Sequence, residues 1–204
     1  MSRVLLVNPP SAVGIYNRSK IRVAITSAPF ITLATLAGEL LREDHQVRIA
    51  DLMVEEDPFN TYRGILEGFQ PEYIGITFTT PLFHEAAELA GVTHELLPES
   101  TIIAGGIHAS TLPQESLEKG NFDLVVLGEG ERTLADICAG TDPQSIRGIA
   151  FGRGDEFTVT PERELIADLD DLPLPAWELH DLTRYRSPHI ASRENPVGYM
   201  ETNR

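Results

Sequence analysis

The chain has 204 residues, 42% of them hydrophobic, which is enough for one domain of ordinary size with an appendage and a substantial core. A formal charge of −15 argues against a nucleic-acid surface, which neutralises phosphates with basic side chains. Cys138 is the only cysteine, which excludes an internal disulfide and any cysteine-built zinc or iron–sulfur site in this stretch. No run approaches the roughly 20 apolar residues of a membrane span. The N-terminal apolar stretch is too short for a signal peptide, so the cytoplasm is the expected compartment.

Arg3-Val4-Leu5-Leu6-Val7-Asn8 is apolar and stopped by Pro9-Pro10, as expected of a strand covered on both faces. Residues 9–28 form a connection long enough to be functional. Pro29 opens a helix over Phe30 to Glu43, where Ile31, Leu33, Ala34, Leu36, Ala37, Leu40 and Leu41 recur at helical spacing. A second strand, Gln46 to Ala50, ends at Asp51, and a helix weakened by Gly64 is expected from Pro58 to Phe69. The third strand runs from Glu72 to Phe78 and ends in Thr79-Thr80-Pro81, followed by a helix from Leu82 to Leu97. The fourth, Thr101 to Ala104, runs into Gly105-Gly106-Ile107-His108-Ala109-Ser110, with a short helix over Thr111 to Lys119. The fifth, Asp123 to Leu127, meets Gly128-Glu129-Gly130-Glu131 and a helix to about Ala139.

Strands alternating with helices five times over define an α/β fold with a parallel sheet covered on both faces, and the flavodoxin-like (Rossmann-like) order 2-1-3-4-5 is the expected arrangement. After Gly140 the style changes. Residues 147–151 and 156–160 flank Gly152-Arg153-Gly154-Asp155, a β-hairpin signal. Leu165 to Pro175 is expected to be extended and irregular, with a helical turn between Trp177 and Tyr185. Residues 1–140 are therefore expected to form the α/β domain, with residues 141–204 as hairpin and linker. The alternating pattern over Tyr199 to Arg204 stops abruptly, as expected of a piece of a longer protein.

The ends of the first, third, fourth and fifth strands would line one rim, where open α/β sheets bind ligands. Standard phosphate cradles are missing: there is no G-x-x-x-x-G-K-[ST], and G-x-G-x-x-G does not follow the first strand. No G-x-S-x-G elbow exists, and the six histidines show no metal-ligand spacing, so no catalytic residue and no metal ligand is assigned. What remains is a row of hydroxyls and glycines suited to a large flat ligand with a polar periphery. Thr77, Thr79 and Thr80 are placed to hydrogen-bond its edge. Gly105 and Gly106 let the backbone approach it, and His108, Glu129 and Glu131 stand nearby. Each also has a plain structural reading, as strand and turn threonines, a tight turn, a packed histidine, and negative charge at a helix N-terminus.

Ile74-Gly75-Ile76-Thr77, then Gly105-Gly106-Ile107-His108-Ala109-Ser110, then Val126-Leu127-Gly128-Glu129-Gly130-Glu131-Arg132-Thr133-Leu134, resembles the N-terminal cobalamin-binding domain of cobalamin-dependent radical S-adenosylmethionine enzymes. That family includes the anaerobic magnesium-protoporphyrin monomethyl ester cyclases. Asp171 to Trp177 is similar to the family's link to its radical-enzyme barrel. The resemblance implies a cobalamin (B12) cofactor and a barrel partner, which in the family carries S-adenosylmethionine and a [4Fe-4S] cluster. It implies a methylase or ring-forming oxidative cyclase in which this chain alone is inactive, since no C-x-x-x-C-x-x-C is present. The D-x-H-x-x-G of other cobalamin proteins is also missing, and residues 9–28 hold no histidine, so a base-off corrinoid without a histidine ligand is expected. On the same basis Thr77, Thr79 and Thr80 would contact the nucleotide tail or the corrin amides. Gly105 and Gly106 would lie against the tail, His108 and Ala109 near the corrin rim, and Gly128, Glu129 and Gly130 at the nucleotide end. The competing readings are a flavodoxin-like interaction module that binds nothing, and a flavin or nucleotide site at the same rim, for which Phe78 is the one nearby stacking aromatic.

Overall fold

The computed structural model describes residues 1–10 and 28–185. The long connection expected at 9–28 and the closing stretch 199–204 lie almost wholly outside the described residues. Strands β1 (Arg3–Asn8), β2 (Gln46–Asp51), β3 (Tyr73–Thr77), β4 (Thr101–Gly105) and β5 (Leu124–Val126) run parallel in the order β2-β1-β3-β4-β5. The expected hairpin also forms, as β6 (Ile149–Phe151) and β7 (Thr158–Val159). It corrects the expected five-stranded sheet, because β6 pairs antiparallel with β5 and the single sheet has seven strands. Val126, at the end of the fifth strand, pairs with Ile149, so the hairpin covers an edge whose N–H and C=O groups would otherwise be unpaired.

Period-two alternation divides the strand side chains between two cores. Val4, Leu6, Val47, Ile103, Leu124, Val126 and Ile149 face helices α1 (Ile31–Arg42) and α6 (Glu131–Cys138). Leu5, Val7, Ile74, Ile76, Ile102, Ala104 and Val125 face α2 (Pro58–Phe69), α3 (Phe83–Leu96) and α5 (Pro113–Lys119). In α1 the stripe Leu33, Ala34, Ala37 and Leu40 is fully buried, the i, i+1, i+4, i+7 face expected of an amphipathic helix. Asp57 caps α2 by accepting from the Asn60 N–H, with Pro58 at its first position. Cys138 is buried in the α1/α6 core, where burial pushes its thiol up to about 12, so it packs as an apolar residue.

One helix was not anticipated. The turn α4 (Ile107–Thr111) follows Gly106 directly and is separate from α5. Ser110 N–H donates to the Gly106 carbonyl, closing the turn without a side-chain cap. After β7 the chain returns across the α1/α6 face as a strap through residues 165–176, irregular with a 3₁₀ turn at Leu169–Asp171, then makes further 3₁₀ turns at Trp177–Leu179 and Leu182–Arg184.

Candidate functional site

The sheet's C-terminal rim splits into two sides, and the glycine turns sit where they meet. Gly106 has φ +90° and ψ 179°, a conformation restricted to glycine. A Cβ there would lie 2.7 Å from the Phe78 carbonyl oxygen and 2.9 Å from Thr77 Oγ1. Its neighbour Gly105 is the opposite case, since a Cβ would meet nothing within 4 Å. Ser110 ties this turn to the next one: its Oγ donates to the Val126 carbonyl (3.4 Å) and accepts from the Gly128 N–H (3.3 Å).

Between α1, α6 and the ends of β3, β4 and β5 lies a cavity of about 670 Å³. Gly75, Thr77, Ile103 and Gly105 form its floor, and Ile31, Thr35 and Leu36 of α1 form one wall. Gly128, Glu129, Gly130 and Leu134 form the other, and Leu165, Leu169, Leu172 and Pro175 of the strap cover the outside. The lining is mainly aliphatic, as in sites for small organic groups of this volume. Among the described residues, no aromatic ring, lysine, arginine or histidine lines it.

Of the residues singled out from sequence, Thr77, Gly105, Gly106, Gly128, Glu129 and Gly130 come together around this cavity. Thr79, Thr80, His108 and Ala109 do not. Thr79 and Thr80 are exposed beyond the strand end, and Ala109 is buried in the opposite core. His108 is buried beside it, with Nδ1 3.1 Å from Thr80 Oγ1 and its ring stacked on Phe83 at 4.7 Å. Phe78 stacks on Phe122 at 5.4 Å on that same side, away from the cavity. Glu129 reaches outward, where Oε2 accepts from the Ile166 N–H at 3.0 Å.

Sequence reasoning missed the α1 wall and the strap. Ile31, Thr32, Thr35 and Leu36 form a second stripe beside the buried one, and the two threonines on an apolar helix were its visible signal. A separate buried chain was also missed. Asn8 Nδ2 donates to Asp51 Oδ1 (2.9 Å), and Tyr185 O–H donates to Asp51 Oδ2 (2.8 Å). Since Tyr185 gives its one proton to Asp51, His180 Nδ1 carries the proton that reaches the phenol oxygen at 3.1 Å. Burial lowers the His180 pKa, with Asp51 and the Phe30 carbonyl opposing, and burial and the Asp51 charge raise that of Tyr185. This chain pins residues 180–185 to the ends of β1 and β2.

An α/β sheet with an apolar cleft at its C-terminal rim defines a ligand-binding module. The chain belongs to the B12 binding domain family, whose model matches residues 26–138, more than half of its length. It is 30% identical, over 99% of its length, to an uncharacterized methyltransferase, PH0819, of Pyrococcus horikoshii, and covers 43% of that protein. It is also 30% identical, over 78% of its length, to the anaerobic magnesium-protoporphyrin IX monomethyl ester cyclase of Cereibacter sphaeroides, covering 27% of it. The chain thus spans less than half the length of these relatives. Among solved structures, the cobalamin-dependent S-adenosylmethionine radical enzyme OxsB with aqua-cobalamin bound shares the fold at TM-score 0.72. The identity is 20%, over 88% of this chain and 24% of that one. The radical methyltransferase TsrM of Kitasatospora setae, with cobalamin and a [4Fe-4S] cluster bound, aligns at TM-score 0.64 and 24% identity, over 79% of this chain and 31% of that one.

Among the described residues no helix is long and apolar enough to cross a membrane, and no group of three or more His, Cys, Asp or Glu is arranged to hold a metal ion.

Proposed function

We propose that this chain holds the nucleotide end of a cobalamin in the α1/α6 cavity, with the corrin ring on the rim, on behalf of a larger cytoplasmic radical S-adenosylmethionine methyltransferase or oxidative cyclase. The observation that carries this is the fit of the cavity. The open space at Gly105 and Gly128 is room that any side chain would fill, and the aliphatic walls suit an uncharged heteroaromatic base. Residues 1–140 supply the binding unit, and residues 141–204 lead toward a barrel that would carry the S-adenosylmethionine and the [4Fe-4S] cluster. When bound, the corrinoid supplies the cobalt chemistry, and the protein supplies position and exclusion of water. Thr77 and the backbone at Gly105 and Gly106 line the base. Thr79, Thr80 and His108 lie at the rim's other side, so a role for them would be at the corrin edge, whereas Ala109 is fully buried beneath them and packs in the core. Among the described residues no histidine lines the cavity, and His108 is engaged by Thr80, which is consistent with the proposed base-off corrinoid without a histidine on the cobalt.

A flavin or nucleotide reading is less well supported. Phe78 stacks on Phe122 in the opposite core, and among the described residues no aromatic ring lines the cavity to stack on a flavin. Titrating the purified chain with hydroxocobalamin and with flavin mononucleotide separates the two. Saturable one-to-one binding of the corrinoid with a base-off spectrum is expected. Binding of the flavin alone would refute the proposal.

A further inference from the structure

The strap over residues 165–176 lies wholly outside the segment that matches the family model, yet it lines one side of the cavity. Its attachment is specific. Ile166 N–H donates to Glu129 Oε2 at 3.0 Å, the Asp171 carbonyl accepts from Arg42 Nη1 at 2.7 Å, and Ala176 N–H donates to the Ala34 carbonyl at 2.8 Å. Arg132 faces the Asp171 carboxylate at 3.7 Å, and Arg163 pairs with Asp136 just before the strap begins. The bond to Ala34 is made to the backbone of α1 itself. It accompanies a close approach one turn further on, where a Cβ at Gly38 would stand 2.7 Å from the Leu174 carbonyl oxygen and 3.4 Å from Pro173 Cγ. Gly38 sits inside a regular helix, where glycine is the less stable choice. What it provides there is room for the strap.

We propose that the strap is a wall of the cofactor site: Leu165, Leu169, Leu172 and Pro175 cover the nucleotide end of the cofactor and set how long it stays bound, and Glu129 holds the wall shut. This rests on the cobalamin reading above and extends it to residues outside the matched segment. The wall is aliphatic and covers the cleft, not the rim, so its contribution goes to the nucleotide tail and not to the corrin ring. Glu129 is accordingly a positioning residue that acts through Ile166, and it is already engaged before any ligand arrives.

Two substitutions displace the strap without touching a cavity side chain of the sheet or of α6. Gly38→Ala puts a methyl against the Leu174 carbonyl, so the strap must shift, while the gain in helix propensity offsets part of what the displaced strap loses and the domain stays folded. Ile166→Pro removes the N–H that Glu129 accepts. Trp177, the single tryptophan, follows the strap directly and reports its position by fluorescence. The experiment measures dissociation of cobalamin and of cobinamide, which has the same macrocycle but no nucleotide, from the parent chain and both variants. Cobalamin should leave the variants at least ~10-fold faster, about the contact of one buried leucine lost, with cobinamide unchanged and the Trp177 emission shifted. The proposal is overturned if cobalamin leaves both variants at the parent rate, whether or not Trp177 responds. Equal acceleration of both corrinoids overturns it as well. A parent chain that retains neither corrinoid refutes instead the cobalamin reading on which the proposal stands.

Discussion

Gly105 and Gly106 are adjacent and chemically identical, yet the structure assigns them opposite consequences. At Gly106 an added Cβ would lie 2.7 Å from the Phe78 carbonyl and 2.9 Å from Thr77 Oγ1, at φ +90° and ψ 179°. The backbone strain alone costs roughly 1–3 kcal/mol. With overpacking of a further ~1–3 kcal/mol, Gly106→Ala should lose about 2–6 kcal/mol, which for a chain of this size lowers Tm by about 5–20 °C. At Gly105 a side chain meets nothing within 4 Å, and a β-branched residue suits a strand end paired with Thr77. Gly105→Val should therefore fold with Tm within about 4 °C of the parent. Its methyls project into the cavity, and crowding the ligand by ~1–3 kcal/mol weakens cobalamin binding about 5- to 150-fold. Thermal unfolding and equilibrium titration on both variants decide the matter. If Gly105→Val binds cobalamin as the parent does, the cavity is not the nucleotide site. If Gly106→Ala is as stable as the parent, the geometry assigned to the turn is wrong.

Tyr185→Phe leaves Asp51 Oδ2 buried without its donor and should cost about 1–3 kcal/mol by chemical denaturation, with faster hydrogen exchange over residues 180–185. Tyr62→Phe removes the 2.6 Å bond to Thr93 Oγ1. Because Thr93 still donates to the Leu89 carbonyl at 2.9 Å, the loss should stay near 0.5–1.5 kcal/mol in the same assay. The folded pKa of His180 lies below its ordinary 6.5, so below that pH the unfolded chain binds the proton more tightly. The contribution of His180 is therefore complete above 6.5 and is lost as pH falls toward the folded value. His45, also lowered by burial, adds with the same sign, whereas burial raises Glu39, which acts in the opposite sense. The difference in Tm between the parent and His180→Gln should therefore shrink from about pH 7.5 to about pH 5.5, and a constant difference would refute the assignment.

Much of the frame was legible because its signals are local. Apolar runs bounded by Pro, Gly or Asp gave β1 to β5 nearly to the residue, and the parallel order followed from their alternation with helices. The turn at 152–155 marked a hairpin. That it adds to β5 is a long-range pairing that turn chemistry does not encode. For the site, the sequence identified the rim but not its sides. Thr77 ends a strand on the α1/α6 side while Phe78 turns to the other, and the chain beyond carries Thr79, Thr80 and His108 away from the cavity. α4 was hidden because it starts at a glycine without a capping side chain, while Pro113 marked only the next helix. The strap reads as linker from its Asp, Leu and Pro content. Its leucines at 165, 169 and 172 gain meaning only when the chain folds back over α1.

That this chain encloses a corrinoid tail is directly measurable. The most direct measurement is gel filtration of the purified chain with excess hydroxocobalamin, with the absorption spectrum read across the protein peak, in parallel with Gly105→Val. One equivalent of base-off cobalamin should elute with the parent chain and much less with the variant. A parent peak free of corrinoid, or equal retention by Gly105→Val, would contradict it.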